Sequence, residues 1–206
     1  MKTPLIFALL LITFNSYSQC PELLKEAKEN GASNLIITFD GLGTAELKMG
    51  VLQKRVVSKI KDRCGSKNIS SKDFYYGKDA AKEAIACAQS FSKAFGGRFS
   101  LHVLGHSFGA GKGVFNFIEE AEKKGQYIEN IVTFDPRGYS YKYANPGKEV
   151  VGNFVNIYQK IPLAGKKVKN ADKEFNVTGR SSHVGLPRKF ATLALESMEG
   201  ALRCAN

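Results

Sequence analysis

A three-layer α/β fold, with a mostly parallel sheet of about six strands and helices on both faces, is the architecture this sequence predicts. Three observations predict it. Helical and strand-like stretches alternate from residue 19 to the end, with no repeat and no linker. The clearest strand-like stretches are continuous apolar runs, which is how strands buried on both faces read. The chain is 206 residues long and 43% hydrophobic, which suits one domain with an ordinary core and excludes a disordered or low-complexity protein. Strands separated by helix-length segments imply right-handed crossovers and a parallel sheet, whose ligand site lies at the carboxyl ends of the strands.

Each element has a local reason. Residues 21–30 form an amphipathic helix with Pro21 at its start and Gly31 as its stop. Residues 35–39 (L-I-I-T-F) are the first buried strand. Helical spacing follows over 45–63, with Leu47, Val51 and Ile60 as an apolar stripe among lysines. Residues 73–76 are a weaker strand, and 79–95 an Ala-rich helix ended by Gly96 and Gly97. Strand 99–104, helix 108–124, strands 130–134 and 150–157, a short strand at 175–177 and a final helix over about 188–203 complete the series.

The amino terminus differs from the rest. Lys2 precedes an apolar stretch from Leu5 to Phe14 that is too short to span a bilayer, and Ser16 and Ser18 put small residues where a signal peptidase reads. Residues 1–18 are therefore expected to be a secretory signal and 19–206 the folded domain, secreted or periplasmic. Formal net charge is +11, and loss of Lys2 leaves a basic product. Cys20, Cys64, Cys87 and Cys204 all survive cleavage, and an even count in an oxidising compartment predicts disulfides. Of three possible pairings, Cys20–Cys64 and Cys87–Cys204 are expected, the first pair flanking the first strand–helix unit and the second joining the last helix to the helix of Cys87. No C-x-x-C spacing supports zinc, and no metal or other cofactor is expected. A lipid anchor on Cys20 is the lesser alternative, because Gln19 is large where a lipoprotein signal needs a small residue.

After strand 99–104 comes Gly105-His106-Ser107-Phe108-Gly109, then a helix. A G-x-S-x-G between strand and helix makes a tight turn that presents the serine at a helix head, its glycines avoiding collisions with strand and helix. A serine nucleophile needs a base. His102 lies inside a strand and reads as a core residue; His106 sits in the turn and reads as structural. His183, in a loop before the last helix, remains. The base needs a carboxylate to orient it. Asp135 ends the run Ile131-Val132-Thr133-Phe134 and is the first choice, Asp172 the fallback. Donors for an oxyanion are expected from the Phe108 amide and from the Leu42 amide in Asp40-Gly41-Leu42-Gly43. Gly109-Ala110-Gly111-Lys112-Gly113 imitates a phosphate loop but has Gly113 where Ser or Thr should bind magnesium, so it reads as helix.

These motifs resemble those of the α/β-hydrolase superfamily, in particular its small secreted lipases and esterases. Gly105 to Ala110 is similar to the G-H-S-x-G-A of pancreatic-type and class 3 lipases, and Thr133-Phe134-Asp135-Pro136 to the G-L-D-P of the former. The order Ser107, Asp135, His183 is the order of that superfamily. Where the family usually carries His-Gly in its oxyanion loop, this chain has Asp40-Gly41, and it lacks two amino-terminal strands of the larger members. The resemblance implies a monomeric serine hydrolase acting on carboxylic esters. Amidase, thioesterase or polysaccharide deacetylase activity would use the same residues, and a non-catalytic exported binding protein is the alternative of another class. Tyr139, Tyr141 and Tyr143, with Lys160, Lys166, Lys167, Lys169, Lys173 and Arg180, are expected around the site, where the cations would favour a lipid or other anionic surface. No nucleic-acid recognition motif is present.

Overall fold

The computed structural model describes residues 19–41, 50–138, 147–160, 167–168 and 171–204; the expected signal segment lies outside them. Helix α1 (Gln19–Asn30) leads to strand β1 (Asn34–Asp40). A helix then runs through a π turn (Gln53–Val57) into α2 (Ser58–Cys64), followed by β2 (Ile69–Tyr75) and α3 (Lys78–Phe95). Strand β3 (Ser100–His106), a second π turn (Gly109–Gly113), α4 (Val114–Lys124) and β4 (Ile128–Phe134) form the centre. Strands β5 (Val151–Tyr158) and β6 (Lys173–Asn176) and helices α5 (Leu186–Lys189) and α6 (Ala191–Met198) end the described chain.

The six strands form one sheet in the order β2-β1-β3-β4-β5-β6, every pairing parallel. Alternate side chains of each strand enter opposite cores. Leu35, Ile37, Phe39, Leu101 and Val103 meet α1, α3 and α4 on one face. Ile36, Leu104, Val132, Phe134 and Val155 meet the 51–64 helix and α6 on the other. The chain passes from β1 outward to β2, then crosses back to β3 on the far side of β1. The order therefore reverses between β1 and β3, and their carboxyl ends form the switch point where such sheets hold ligands.

Two expectations on elements are refined. β2 begins at Ile69, not 73, because the polar run Ser70-Ser71-Lys72 lies on an edge strand where apolar continuity is not required. The last helix is two: Phe190 leaves helical geometry (φ −109°, ψ 18°) between α5 and α6, and α6 ends at Met198, just before Gly200. The part of the predicted 45–63 helix that precedes Gly50 lies outside the described residues.

All four cysteines pair, but as Cys20–Cys87 and Cys64–Cys204. This corrects the expected Cys20–Cys64 and Cys87–Cys204. Cys20 on α1 and Cys87 on α3 lie on one face of the sheet, while Cys64 at the end of α2 and Cys204 after α6 lie on the other. The expected pairs would each have had to cross the sheet. With its sulfur bound to Cys87, Cys20 has no thiol to carry a lipid thioether. Among the described residues no helix is long and apolar enough to cross a membrane.

Candidate active site

Ser107 occupies the turn between β3 and the following helix, with φ 56°. A non-glycine residue in the left-handed region is held there only by its surroundings, and these are specific. The Ser107 amide donates to Phe134 O, and its carbonyl accepts from the Gly111 and Arg137 amides, each at 2.9 Å. The glycines permit the close approaches: a Cβ at Gly105 would lie 2.6 Å from Ala110 Cα, at Gly109 2.0 Å from Phe39 O, and at Gly41 2.6 Å from Ser107 Cβ. Residues 109–113 are helical as expected, wound as a π turn against Phe39.

Ser107 Oγ lies 2.9 Å from His183 Nε2, and His183 Nδ1 lies 2.5 Å from Asp135 Oδ2. Asp135, also at positive φ (50°), is fully buried and takes the Gln159 amide on its other oxygen at 3.1 Å. Three residues separated by up to 76 positions thus form one chain of hydrogen bonds at the carboxyl ends of β3 and β4. The Phe108 amide stands in the first helical turn, whose N–H groups have no intrahelical acceptor. Leu42, the expected second donor, lies outside the described residues, but Gly41 beside it is pressed against Ser107.

The remaining candidates separate cleanly. Asp172 pairs with Lys148 at 2.5 Å and accepts the Phe154 amide, so it is a surface anchor for β5 and not a partner of His183. His102 is a core residue: fully buried, it is pushed down to about 3 by desolvation and held between Asn34 and Asn130. His106 is structural, but in an unforeseen way. Its ring lies tilted against that of His183 (centroids 4.7 Å apart) and its Nε2 meets the His183 carbonyl at 3.1 Å. Burial first and the neighbouring His183 second push it down to about 4, so it is neutral and donates Nε2–H to that carbonyl.

Two features near Ser107 lie outside the expectations drawn from the sequence. Tyr76 stacks on Phe108 at 5.7 Å and Tyr75 on Tyr76 at 4.7 Å, giving an aromatic wall from the end of β2; their place after a strand was the available signal. Asp40 and Asp73 end β1 and approach the end of β2 on either side of Gly50. Asp40 is pushed up to about 7 by burial and then by the Asp73 charge, and Asp73 is raised by burial. Of the expected rim, Lys167 pairs with Glu174 at 3.4 Å, Lys160, Lys173 and Arg180 are exposed, and Lys166, Lys169 and the three tyrosines at 139, 141 and 143 lie outside the described residues.

Compared with protein-family models and with curated proteins, the chain finds no match.

Proposed function

We propose that the chain is an exported serine hydrolase that cleaves carboxylic esters through an acyl-enzyme. The observation that carries the reading is the unbroken hydrogen-bond chain Ser107–His183–Asp135 at the carboxyl ends of β3 and β4, beside the switch point of the sheet. Asp135 accepts Nδ1–H and so fixes the tautomer that leaves the Nε2 lone pair toward Ser107. As Oγ attacks the ester carbonyl, Nε2 takes its proton and the carbonyl π electrons move to oxygen, where the Phe108 amide donates. Collapse re-forms the carbonyl and expels the alcohol, which takes the proton from His183. Water then loses a proton to His183 and attacks the acyl carbon; collapse breaks the bond to Ser107 Oγ, which takes that proton back from His183, and the acid is released. The likeness of the motifs to lipases and esterases supports this class of chemistry and says little about substrate. The two disulfides support residues 1–18 as a secretory signal.

A fluorophosphonate should label Ser107 in residues 19–206, and the same protein should hydrolyse p-nitrophenyl butyrate. Ser107→Ala should remove the label and slow hydrolysis roughly a thousandfold or more while keeping the circular dichroism spectrum. Folded protein that takes no label would give the scaffold to a non-catalytic binding role.

A further inference from the structure

We infer that the cavity beside the His183 loop binds an anionic group, phosphate or carboxylate, carried by the ester substrate. The inference rests on the serine-hydrolase reading and names the substrate class of the same site. The cavity, about 460 Å³, lies between the π turn Gln53–Val57 and the loop leading into α5. Lys54, Arg55 and Arg188 line it, with Ser182 and Val184 from either side of His183. A group lodged there borders Ser182 and Val184, the chain neighbours of His183 in the loop that carries the base.

The charge around the cavity is of one sign and comes from two distant segments of the chain. Among the described residues, Lys54, Arg55 and Arg188 meet no carboxylate within 4 Å, and no acidic side chain lines the cavity. Nor are the three a local charge run, since Arg188 is more than 130 positions from the other two and is brought to them by packing of α5 on the π turn. Two guanidinium forks and an ammonium around one cavity match the oxygens of a phosphate or carboxylate, with the forks able to bind two oxygens at once. Val51 and the exposed Val184 add apolar surface for a short hydrocarbon link between ester and anion.

The test compares kcat/KM for p-nitrophenyl hemiglutarate, whose acyl chain ends in a carboxylate, with that for p-nitrophenyl valerate, its neutral counterpart. The anionic-to-neutral ratio should exceed one at low salt and should drop at least tenfold in R55Q/R188Q, in line with loss of charge-assisted hydrogen bonds. K25Q/K28Q, an equal loss of two charges on α1 at the other face, should leave the ratio alone. Inorganic phosphate should inhibit valerate hydrolysis competitively in the unaltered protein. An unaltered ratio in R55Q/R188Q, with melting temperature retained, overturns the anion site. A ratio that changes only when anionic phospholipid vesicles present the ester overturns it too, in favour of a membrane-facing surface. Failure of fluorophosphonate labelling would instead remove the hydrolase reading beneath it.

Discussion

The two edges of the sheet handle buried polarity in opposite ways. At the amino edge, His102, Asn34, Asn130 and Asn153 form a closed network. Asn130 Nδ2 donates to His102 Nδ1 (3.1 Å), His102 Nε2–H faces Asn34 Oδ1 (3.4 Å), and Asn153 Nδ2 donates to Asn130 Oδ1 (2.9 Å). Asn34 also exchanges two 2.9 Å hydrogen bonds with the Arg203 backbone, tying the chain beyond α6 to the sheet near the Cys64–Cys204 bond. At the carboxyl edge, among the described residues, the side chains of His106, Arg137 and Gln159 each keep a buried polar atom with no hydrogen-bond partner, and the Asp40 carboxyl is buried close to that of Asp73. They end or follow β1, β3, β4 and β5, and the two non-glycine residues at positive φ, Ser107 and Asp135, lie among them. Both π turns, geometry common at functional sites, open the helices on this side. A fold that satisfies one edge fully and leaves the other strained and under-bonded has put its unfavourable terms where chemistry is to be done.

The widest separation of the two edges is in activity. Asp135→Asn removes the acceptor that fixes the His183 tautomer, and kcat should fall about 10,000-fold, as loss of the orienting acid does in a catalytic triad. Asp172→Asn should change kcat less than twofold, because Asp172 anchors β5 through Lys148 and the Phe154 amide. Ester hydrolysis assays of the two variants decide it, and the opposite ranking would move the acid to Asp172.

The second contrast is in pH dependence. Asp40 keeps its proton up to about 7 when folded and releases it near 3.8 when unfolded. Between those values the folded chain binds more protons, so stability falls as pH rises. At about 1.4 kcal/mol per pH unit, the ionisation of Asp40 costs at most about 4 kcal/mol by pH 8. Asp40→Asn should flatten this decline, measured by urea unfolding at pH 4 and pH 8. An equal decline in both proteins would mean that Asp40 ionises freely.

The amino edge should respond the other way. Asn34→Ala strips His102 and Arg203 of partners inside the core and should destabilise the fold by about 3 kcal/mol, with kcat of the folded protein unchanged. A change in kcat at full folding would show that the two edges are coupled.

How much of this was legible in the sequence follows from the range of the forces involved. The strand of L-I-I-T-F, the Gly-flanked Ser107 and the strand-end Asp135 are local patterns, and each was readable because its burial or turn geometry dictates its own residues. His183 was reached by elimination among three histidines. The disulfide pairing was not readable, because which face of the sheet a helix covers depends on the order β2-β1-β3 and not on the helix itself. The break at Phe190 is likewise tertiary, as its neighbours have ordinary helical propensity. Lys54, Arg55 and Arg188 carry no joint signal along the chain, and the Asp40–Asp73 pair arises from parallel register between β1 and β2.

The smallest expected effect concerns two histidines on one strand. His102 and His106 point to the same face of β3, four residues apart, both buried and both neutral. His102 has a partner on each ring nitrogen; His106 has one, the His183 carbonyl, and its Nδ1 meets none. That single bond, with the ring packed against His183, fixes the backbone from which the base projects. His106→Phe keeps a ring of similar size but leaves the His183 carbonyl without its donor, so kcat should fall about tenfold with KM little changed, equivalent to about 1.4 kcal/mol of lost positioning. His106→Gln, which retains an N–H at similar reach, should recover most of the rate. If Phe and Gln variants are equally slow at matched melting temperatures, the ring contact and not the hydrogen bond positions His183. If neither is slow, the loop holds its base without help from β3.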